Sequence, residues 1–241
     1  MDNIKRICMW SGPRNISTTL MYAFAQRADT KVFDEPLYGY YLKNSNTEKS
    51  HPLAEEIMDQ MECDGEKVIA EMLADQSNPV LFYKHMSHHL LELDLSFMKK
   101  TLNILLTRNP VEMLPSYDAV IQSPKIADVG YPQHLDLVRY YQENDIPFWV
   151  LDAELVLRDP EGQLRKLCAA LGLEFDEAML SWPKGGRVED GIWAPYWYKN
   201  VQNSEGFMPY KAKTTPFPEH LHTLLDEAQP LYNELRMIAL K

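Results

Sequence analysis

Two segments of the 241-residue sequence place an arginine beside hydroxyl side chains at a predicted strand end. The first is a loop that leads into a predicted helix, Trp10-Ser11-Gly12-Pro13-Arg14-Asn15-Ile16-Ser17-Thr18-Thr19-Leu20. Backbone N–H groups at a helix N-terminus bind anions, and a guanidinium and hydroxyls beside them strengthen the site. No lysine follows a glycine here, so the loop is not a Walker A loop and ordinary ATP hydrolysis is disfavoured. The alternative is a capped helix with no ligand.

The second segment runs from Leu105 to Ser116. Arg108 ends a predicted buried strand, and Pro110 begins the next helix at the position where proline is favoured. Ser116, eight residues after Arg108, can face the same space. A guanidinium donates paired, charge-assisted hydrogen bonds to a phosphate, whereas a surface arginine with no ligand is the alternative. Together, the two segments predict a ligand with two separated anionic groups.

Two further side chains at predicted strand ends could act as a general base. Glu35 lies in Phe33-Asp34-Glu35-Pro36, and His85 lies in Tyr83-Lys84-His85-Met86. A histidine with a pKa near ~6.5 needs little tuning for this role, whereas the pKa of a glutamate, near ~4.3, must be raised by burial. Each residue could instead be structural. We favour Glu35, with His85 as the base or as a group that positions the acceptor.

The elements that must position these residues alternate between strand and helix. Five strands are predicted, and they cover residues 4–10, 31–34, 80–85, 102–107 and 147–151. Helices are predicted for residues 17–27, 53–61, 67–74, 110–121, 135–144, 160–171 and 221–240, and a loop for Gly39 to Ser50. This alternation predicts one domain, 1–241, with a central parallel sheet in a three-layer α/β/α arrangement. Residues 182–217, which are aromatic and irregular, are expected to form a wrapping segment or lid.

Composition narrows the class of protein. The net charge is −11, from 24 Lys and Arg against 35 Asp and Glu, which argues against nucleic acid or an anionic membrane as a partner. Three distant cysteines give no disulfide framework and no zinc site, and His85, His88 and His89 lack metal-ligand spacing. No apolar run approaches the ~20 residues of a membrane span or forms a signal peptide. We therefore expect a cytoplasmic protein without a metal; its oligomeric state is not predicted.

The two arginine segments together resemble the signature of the sulfotransferase family, which uses 3′-phosphoadenosine 5′-phosphosulfate (PAPS) as donor. Residues 13–18 match the family's 5′-phosphosulfate loop at four of six positions, with Asn15 and Ile16 in place of Ser-Gly. Arg108 and Ser116 match the element that holds the 3′-phosphate. Weaker likenesses are the stretch from Asp152 to Leu173 and Lys184-Gly185-Gly186-Arg187, which loosely resembles an Arg-Lys-Gly element near the cofactor.

The resemblance implies a P-loop nucleotide-hydrolase-like sulfotransferase fold and transfer of a sulfuryl group from PAPS to a small hydroxyl- or amine-bearing acceptor. It implies Arg14, Glu35 and His85 as catalytic residues. The donor-binding residues that it implies are Arg14, Asn15, Ile16, Ser17, Thr18, Thr19, Arg108 and Ser116. Glu35 is similar to the glutamate base of the bacterial branch and His85 to the histidine base of the cytosolic branch. The alternatives are a relative that binds nucleotide without turnover, which Asn15 and Ile16 favour, and a P-loop small-molecule kinase.

Overall fold

The computed structural model describes residues 4–45, 51–121 and 123–241. Its five strands form one parallel sheet in the order β2-β3-β1-β4-β5. The strands are β1 (Lys5–Ser11), β2 (Thr30–Asp34), β3 (Val80–Met86), β4 (Leu102–Thr107) and β5 (Phe148–Asp152). Both ends of each strand lie within one residue of the predicted ends. The predictions succeed because short, mostly apolar runs rich in β-branched residues are typical of parallel strands that are buried on both faces.

Helices cover both faces of this sheet. They are α1 (Ser17–Phe24), α2 (Tyr38–Asn44), α3 (Ala54–Gln60), α4 (Gly65–Ala74), α5 (Pro110–Asp118), α6 (Tyr131–Glu143), α7 (Ala153–Arg158), α8 (Pro160–Ala170), α9 (Ala194–Trp197), α10 (Lys199–Gln202) and α11 (His222–Met237). Alternate residues of β1 enter different apolar clusters, with Ile7 and Met9 in one and Cys8 and Trp10 in the other. The predicted three-layer α/β/α arrangement is therefore confirmed.

Part of the loop predicted for Gly39 to Ser50 is wrong, because its first residues form α2. Tyr38, Tyr41 and Leu42 are buried on one face of this helix, which is the spacing of an amphipathic helix. Polar residues between them hid the pattern in the sequence. Residues 46–50 of the predicted loop lie outside the described residues. The short helix α7, which follows β5 directly, was also not predicted.

The segment from residue 182 to 207, which we call the strap, crosses the carboxyl ends of the strands. It contains only the single-turn helices α9 and α10 and is joined at its base by a bridge between Ser181 and Gly206. Trp182, Trp193 and Tyr198 are buried against the core beside α1. Big rings thus anchor an irregular chain. Within the described residues, no helix is both long and apolar enough to cross a membrane.

Candidate active site

The sheet brings the two arginine segments side by side. Strand β1 pairs with β4, and Ser11 stands opposite Leu106 just before each chain leaves the sheet. Arg108 Nη1 donates to the backbone oxygen of Arg14 at 3.0 Å, and Arg14 Nε donates to Ser116 Oγ at 3.2 Å. The carboxyl ends of neighbouring parallel strands are the usual place for a ligand. The geometry therefore joins both segments in one site.

The loop after β1 reaches α1 without straining Ile16. Arg14 takes the left-handed backbone conformation, with φ at +50°, while Ile16 keeps an ordinary φ of −92° and buries its side chain in the core. Asn15 fixes the loop, because its Nδ2 donates to Leu106 O at 2.9 Å and its Oδ1 accepts from Ile16 N at 3.0 Å. Asn15 and Ile16 therefore form an ordered loop without the glycine of the usual pattern.

Helix α1 begins without a side-chain cap. An aspartate or asparagine side chain caps the first turn of α4, α5, α7 and α8, whereas the residue before α1 is Ile16. The first N–H groups of an uncapped helix keep their hydrogen-bonding capacity and their partial positive charge. Ser17 and Thr18 therefore stand at a helix start whose N–H groups no side chain caps.

A cleft of about 210 Å³ opens between α1, α5 and the strap, and we call it the arginine cleft. The predicted residues that line it are Arg14, Asn15, Ile16, Thr18, Thr19, Arg108 and Ser116. Lys213 Nζ approaches from the segment after the strap and donates to the backbone oxygen of Glu112 at 2.8 Å. Burial and the neighbouring Arg108 lower the pKa of Arg14 and of Lys213, as expected where like charges are held together.

A second, smaller cleft of about 110 Å³ shares Arg14, Asn15 and Thr18 with the first, and we call it the glutamate cleft. Glu35 stands at its floor, directly after β2, with φ at +49°. Lys84 of β3 donates to Glu35 Oε1 at 2.5 Å and to Asp34 Oδ1 at 2.8 Å. The other oxygen of Glu35, Oε2, makes no hydrogen bond to a described residue and is available to a ligand.

Tyr198 of the strap completes this buried network. Its hydroxyl lies 2.8 Å from both oxygens of Asp34 and accepts from Lys84 Nζ at 2.6 Å and from Trp193 Nε1 at 2.9 Å. Trp197 and Tyr198 line both clefts, at the place where these meet. The strap is therefore part of the site, and its aromatic side chains both pack and form walls.

Burial sets the protonation behaviour of the network. Burial and the nearby Asp34 raise the pKa of Glu35, while Lys84 acts in the opposite direction. Burial alone would lower the pKa of Lys84, but the two carboxylates outweigh it and raise that pKa. Lys84 therefore stays charged, and Glu35 is a carboxylate that accepts a proton more readily than a solvated one.

His85 does not line either cleft. Successive residues of a strand point to opposite faces, so Lys84 enters the site and His85 enters the other core cluster. The His85 ring stacks on Trp10 with centroids 4.3 Å apart, is fully buried, and has no hydrogen-bond partner within the described residues. Burial and the nearby Lys84 lower its pKa to about 3. This placement does not fit the base role expected for His85 and leaves Glu35 as the candidate.

Sequence reasoning missed Lys213, Asp34 and Tyr198. It pointed instead to Lys184 through Arg187 as a cofactor element, but none of these residues lines either cleft. Arg187 pairs with Glu189 and lies over the Tyr22 ring, which is a structural role. Lys84 of β3 and Tyr38 of α2 also line the glutamate cleft. Irregular segments carry no periodic signal, so Lys213 and Tyr198 could not be placed.

Among residues 4–45, 51–121 and 123–241, no group of three or more His, Cys, Asp or Glu side chains could hold a metal ion. His88 and His89 both line the glutamate cleft, but their rings are nearly perpendicular, with centroids 4.7 Å apart.

Known proteins match this chain in sequence and in fold. The sequence model of the sulfotransferase domain family matches residues 5–239. Two Arabidopsis thaliana proteins, named branched-chain-amino-acid aminotransferase-like proteins 1 and 2, are 40% and 38% identical over 229 residues, or 94% of this chain. The chain spans only 41% and 40% of the length of these relatives.

Solved structures with little sequence identity have the same fold. The sulfotransferase domain from the curacin biosynthetic pathway superposes with a TM-score of 0.59 at 14% identity, covering 97% of this chain and 98% of that one. A sulfotransferase from Alicyclobacillus acidocaldarius gives 0.52 at 12% identity, covering 98% and 97%. The expected P-loop-like sulfotransferase fold is thereby confirmed, and with the family match from residue 5 to residue 239 the chain belongs to the sulfotransferase domain family.

Proposed function

We propose that the protein transfers a sulfuryl group from PAPS to a small acceptor that carries a hydroxyl or an amine. The observation that carries this proposal is the concentration of positive charge at the arginine cleft. Arg14, Arg108 and Lys213 gather there, and the carboxylate paired with them is that of Glu112 at 3.3 Å from Arg108. In a chain of net charge −11, such a cluster needs an anionic ligand.

The residues present fit a nucleotide with phosphate groups at both ends. Arg14, with Ser17, Thr18 and the uncapped amides of α1, would hold the 5′-phosphosulfate, since these donors surround the point where the two clefts meet. Arg108 and Ser116, together with Lys213, would hold the 3′-phosphate through charge-assisted hydrogen bonds. Thr19 lines the arginine cleft and would contact the same nucleotide.

Glu35 is our candidate for the general base. In the reaction, the acceptor oxygen or nitrogen attacks sulfur, the bond from sulfur to the 5′-phosphate oxygen breaks, and the acceptor proton passes to Glu35. Arg14 and the helix amides would stabilise the charge that develops on the leaving phosphate. Sulfuryl transfer resembles phosphoryl transfer in that the protein mainly positions its partners and neutralises charge.

Calorimetry with adenosine 3′,5′-bisphosphate (PAP) and with 5′-AMP tests the donor assignment. The variant Arg108→Ala should bind PAP about 10- to 100-fold more weakly, because a charged hydrogen-bonding partner of the 3′-phosphate is lost. Its affinity for 5′-AMP, which has no 3′-phosphate, should change by less than about threefold. The matched control is Arg139→Ala, since Arg139 is an exposed partner of Asp136.

The outcomes separate the alternatives. If wild-type protein does not bind PAP, the proposed donor is wrong. Binding of PAP with no transfer of labelled sulfate from PAPS to any hydroxyl or amine in an acceptor panel would select the relative without turnover. Magnesium-dependent ATP turnover would select the kinase.

We also propose that the protein is cytoplasmic and that its chain forms a single domain. The free thiols of Cys8, Cys63 and Cys168 support a reducing, cytoplasmic environment. One sheet formed by all five strands supports a single domain.

A further inference from the structure

His89 lies beside the proposed base in the glutamate cleft. Its Nε2 atom is 4.0 Å from Glu35 Oε2, which is too far for a direct hydrogen bond. One atom placed between the two can lie within hydrogen-bonding distance of both. Both side chains line the cleft, and neither of these atoms makes a hydrogen bond to a residue that the structure describes. The cleft therefore has a place for a single polar atom that both residues contact.

The tautomer of the His89 imidazole follows from its surroundings. Burial lowers the pKa of His89 well below its usual value, so the ring is neutral and carries one proton. Nδ1 is buried without a hydrogen-bond partner among the described residues, so a proton there would be an unpaired buried donor. Nε2 is the nitrogen that approaches the Glu35 carboxylate, whose negative charge attracts an N–H and repels a lone pair. Both contacts favour the tautomer with its proton on Nε2.

Packing holds this imidazole in place. Its ring stacks on Tyr38 and on Tyr41, with centroids 5.0 Å and 4.6 Å away. The ring of His88 lies nearly perpendicular to it, with centroids 4.7 Å apart. The orientation of the N–H is therefore fixed before a ligand binds, so little conformational entropy is lost when it forms a hydrogen bond.

Lys84 cannot supply the same hydrogen bond, although it contacts the other oxygen of Glu35. A lysine ammonium has three N–H donors. Those of Lys84 go to Glu35 Oε1, to the neighbouring aspartate and to the Tyr198 hydroxyl, at 2.5 to 2.8 Å. Arg14 also lines the cleft, but it is the proposed partner of the phosphosulfate. His89, in contrast, keeps an N–H for an atom that is bound at Glu35 Oε2.

We propose that His89 Nε2 donates a hydrogen bond to the attacking atom of the acceptor, and that this atom is a hydroxyl oxygen. An atom between this N–H and the Glu35 carboxylate must accept one hydrogen bond, donate another and keep a lone pair for attack on sulfur. A hydroxyl oxygen does all three, because it has one proton and two lone pairs. An amine nitrogen has a single lone pair, which the hydrogen bond from His89 would occupy. This inference rests on the proposed sulfuryl transfer and narrows its acceptor to a hydroxyl.

The reaction balances with PAPS as the sole co-substrate. The hydroxyl oxygen forms a bond to sulfur, the bond between sulfur and the 5′-phosphate oxygen breaks with its electron pair going to PAP, and the hydroxyl proton passes to Glu35. The products are a sulfate monoester and PAP. His89 keeps its proton throughout, and its N–H stabilises the negative charge that develops on the attacking oxygen. It is an acceptor-binding residue and not a second base.

Nitrogen NMR of protein labelled at its histidine nitrogens tests the tautomer without turnover. In the complex with PAP at neutral pH, we expect a neutral His89 ring with its proton on Nε2. The signals of this ring are those missing from His89→Phe. The matched control is His85→Phe, which removes another buried, unpartnered imidazole outside both clefts and should leave the His89 signals in place. A proton on Nδ1, or a charged ring, would overturn the proposal.

The kinetic test compares kcat/KM for acceptors that differ in the nucleophilic atom, phenol against aniline and cyclohexanol against cyclohexylamine. The wild type should prefer the hydroxyl compound by about 100-fold or more, since a site built to hydrogen-bond a substrate group rejects analogues without it. His89→Phe keeps an aromatic ring between the tyrosines. It should lower kcat/KM for the hydroxyl compounds about 10- to 100-fold and that for the amines less than about threefold. His89→Gln, whose amide donates a hydrogen bond but cannot act as a base, should recover part of the loss.

The outcomes separate this inference from the proposed function. A wild type that prefers the amines, an equal loss for both compounds in His89→Phe, or no recovery in His89→Gln would each overturn the role of His89. PAP affinity, measured for every variant, reports on folding and on the donor site, and His85→Phe should match the wild type in every measurement. If the wild type does not bind PAP, or binds it and sulfates none of the four compounds, the proposed function fails instead, and the NMR measurement still decides the tautomer of His89.

Discussion

Arg14 and Glu35 are two of six non-glycine residues with positive φ in the described part of the chain. Such a conformation costs about 1–2 kcal/mol per residue and persists only where the surroundings impose it. Here the surroundings are hydrogen bonds: Arg108 holds the Arg14 carbonyl, and the backbone of Lys84 accepts from Glu35 N at 2.8 Å. Both residues were predicted for the site from their positions at strand ends. Arg14 lines both clefts, whereas Glu35 lines only the glutamate cleft, so the strained positions hold a guanidinium where the two clefts meet and a carboxylate within one of them.

Replacing Glu35 with glutamine tests its role as base. Gln keeps the shape of the side chain but accepts no proton, so kcat should fall by about 10²- to 10⁴-fold while PAP affinity stays within about threefold. In the wild type, kcat/KM should rise with pH as Glu35 loses its proton, and because burial raises the pKa, this rise should lie above the ordinary value of 4.5. The variant should lack that limb.

The control for this variant is Glu92→Gln, since Glu92 shares the positive φ but lines neither cleft. Its rate and pH profile should match the wild type. A Glu35→Gln enzyme that keeps the wild-type rate would exclude Glu35 as base.

At the scale of elements, every strand could be predicted from the sequence, but not which residues of β3 face the candidate site. His85, at the end of β3, was predicted as a possible base beside the favoured Glu35 because the ordinary pKa of histidine suits that role. The pairing of Asp34 with Lys84 across β2 and β3 fixes Lys84 on the side of the site and sends His85 to the other face. That register depends on contacts between distant segments, and periodicity within one segment does not contain it.

The histidines of β3 and the turn after it make the fold sensitive to acid. Burial lowers the pKa of His85 and His88 to about 3 and of His134, on α6, to about 4. Each remains neutral when folded and binds a proton on unfolding below its unfolded pKa of about 6.5. The contribution of these neutral histidines to the free energy of unfolding is therefore fully present above pH ~6.5. It is lost as the pH falls below that value, by about 1.4 kcal/mol per pH unit for each histidine.

Urea denaturation between pH 7 and pH 4.5 measures this loss. His85→Phe should reduce the slope of unfolding free energy against pH by about 1.4 kcal/mol per unit, which is the share of one proton. Phe97→Leu, which changes another ring packed on Trp10 but removes no titratable group, should leave the slope unchanged. An unaltered slope in His85→Phe would mean that His85 binds protons equally in the folded and unfolded states, which would contradict its lowered pKa.

At the scale of the whole molecule, one buried cation joins three parts of the chain that are distant in sequence. Lys84 of β3 contacts Asp34 and Glu35 after β2 and Tyr198 of the strap, and Gly191 N of the strap also donates to Asp34 Oδ2 at 3.0 Å. The sheet could be predicted from local patterns. This junction could not, because it depends on the path of an irregular segment that only packing determines.

Lys84→Met should therefore destabilise the whole fold by about 3–5 kcal/mol, because it leaves two carboxylates buried without their cation. Without Lys84, which holds the pKa of Glu35 down, the folded-state pKa of Glu35 rises further, so the folded protein binds this proton more tightly than the unfolded chain. The loss of unfolding free energy relative to the wild type should accordingly be small below pH ~4, where Glu35 is protonated in both states, and should grow as the pH rises through the raised pKa. Urea denaturation of both proteins at several pH values measures this loss of unfolding free energy.

The control is Lys5→Met, which removes a partly buried lysine that donates to Leu171 O at 2.9 Å and should lower the free energy of unfolding by about 1 kcal/mol. A deficit for Lys84→Met that is equally small, or that does not change with pH, would show that the ion pair does not hold the strap to the sheet.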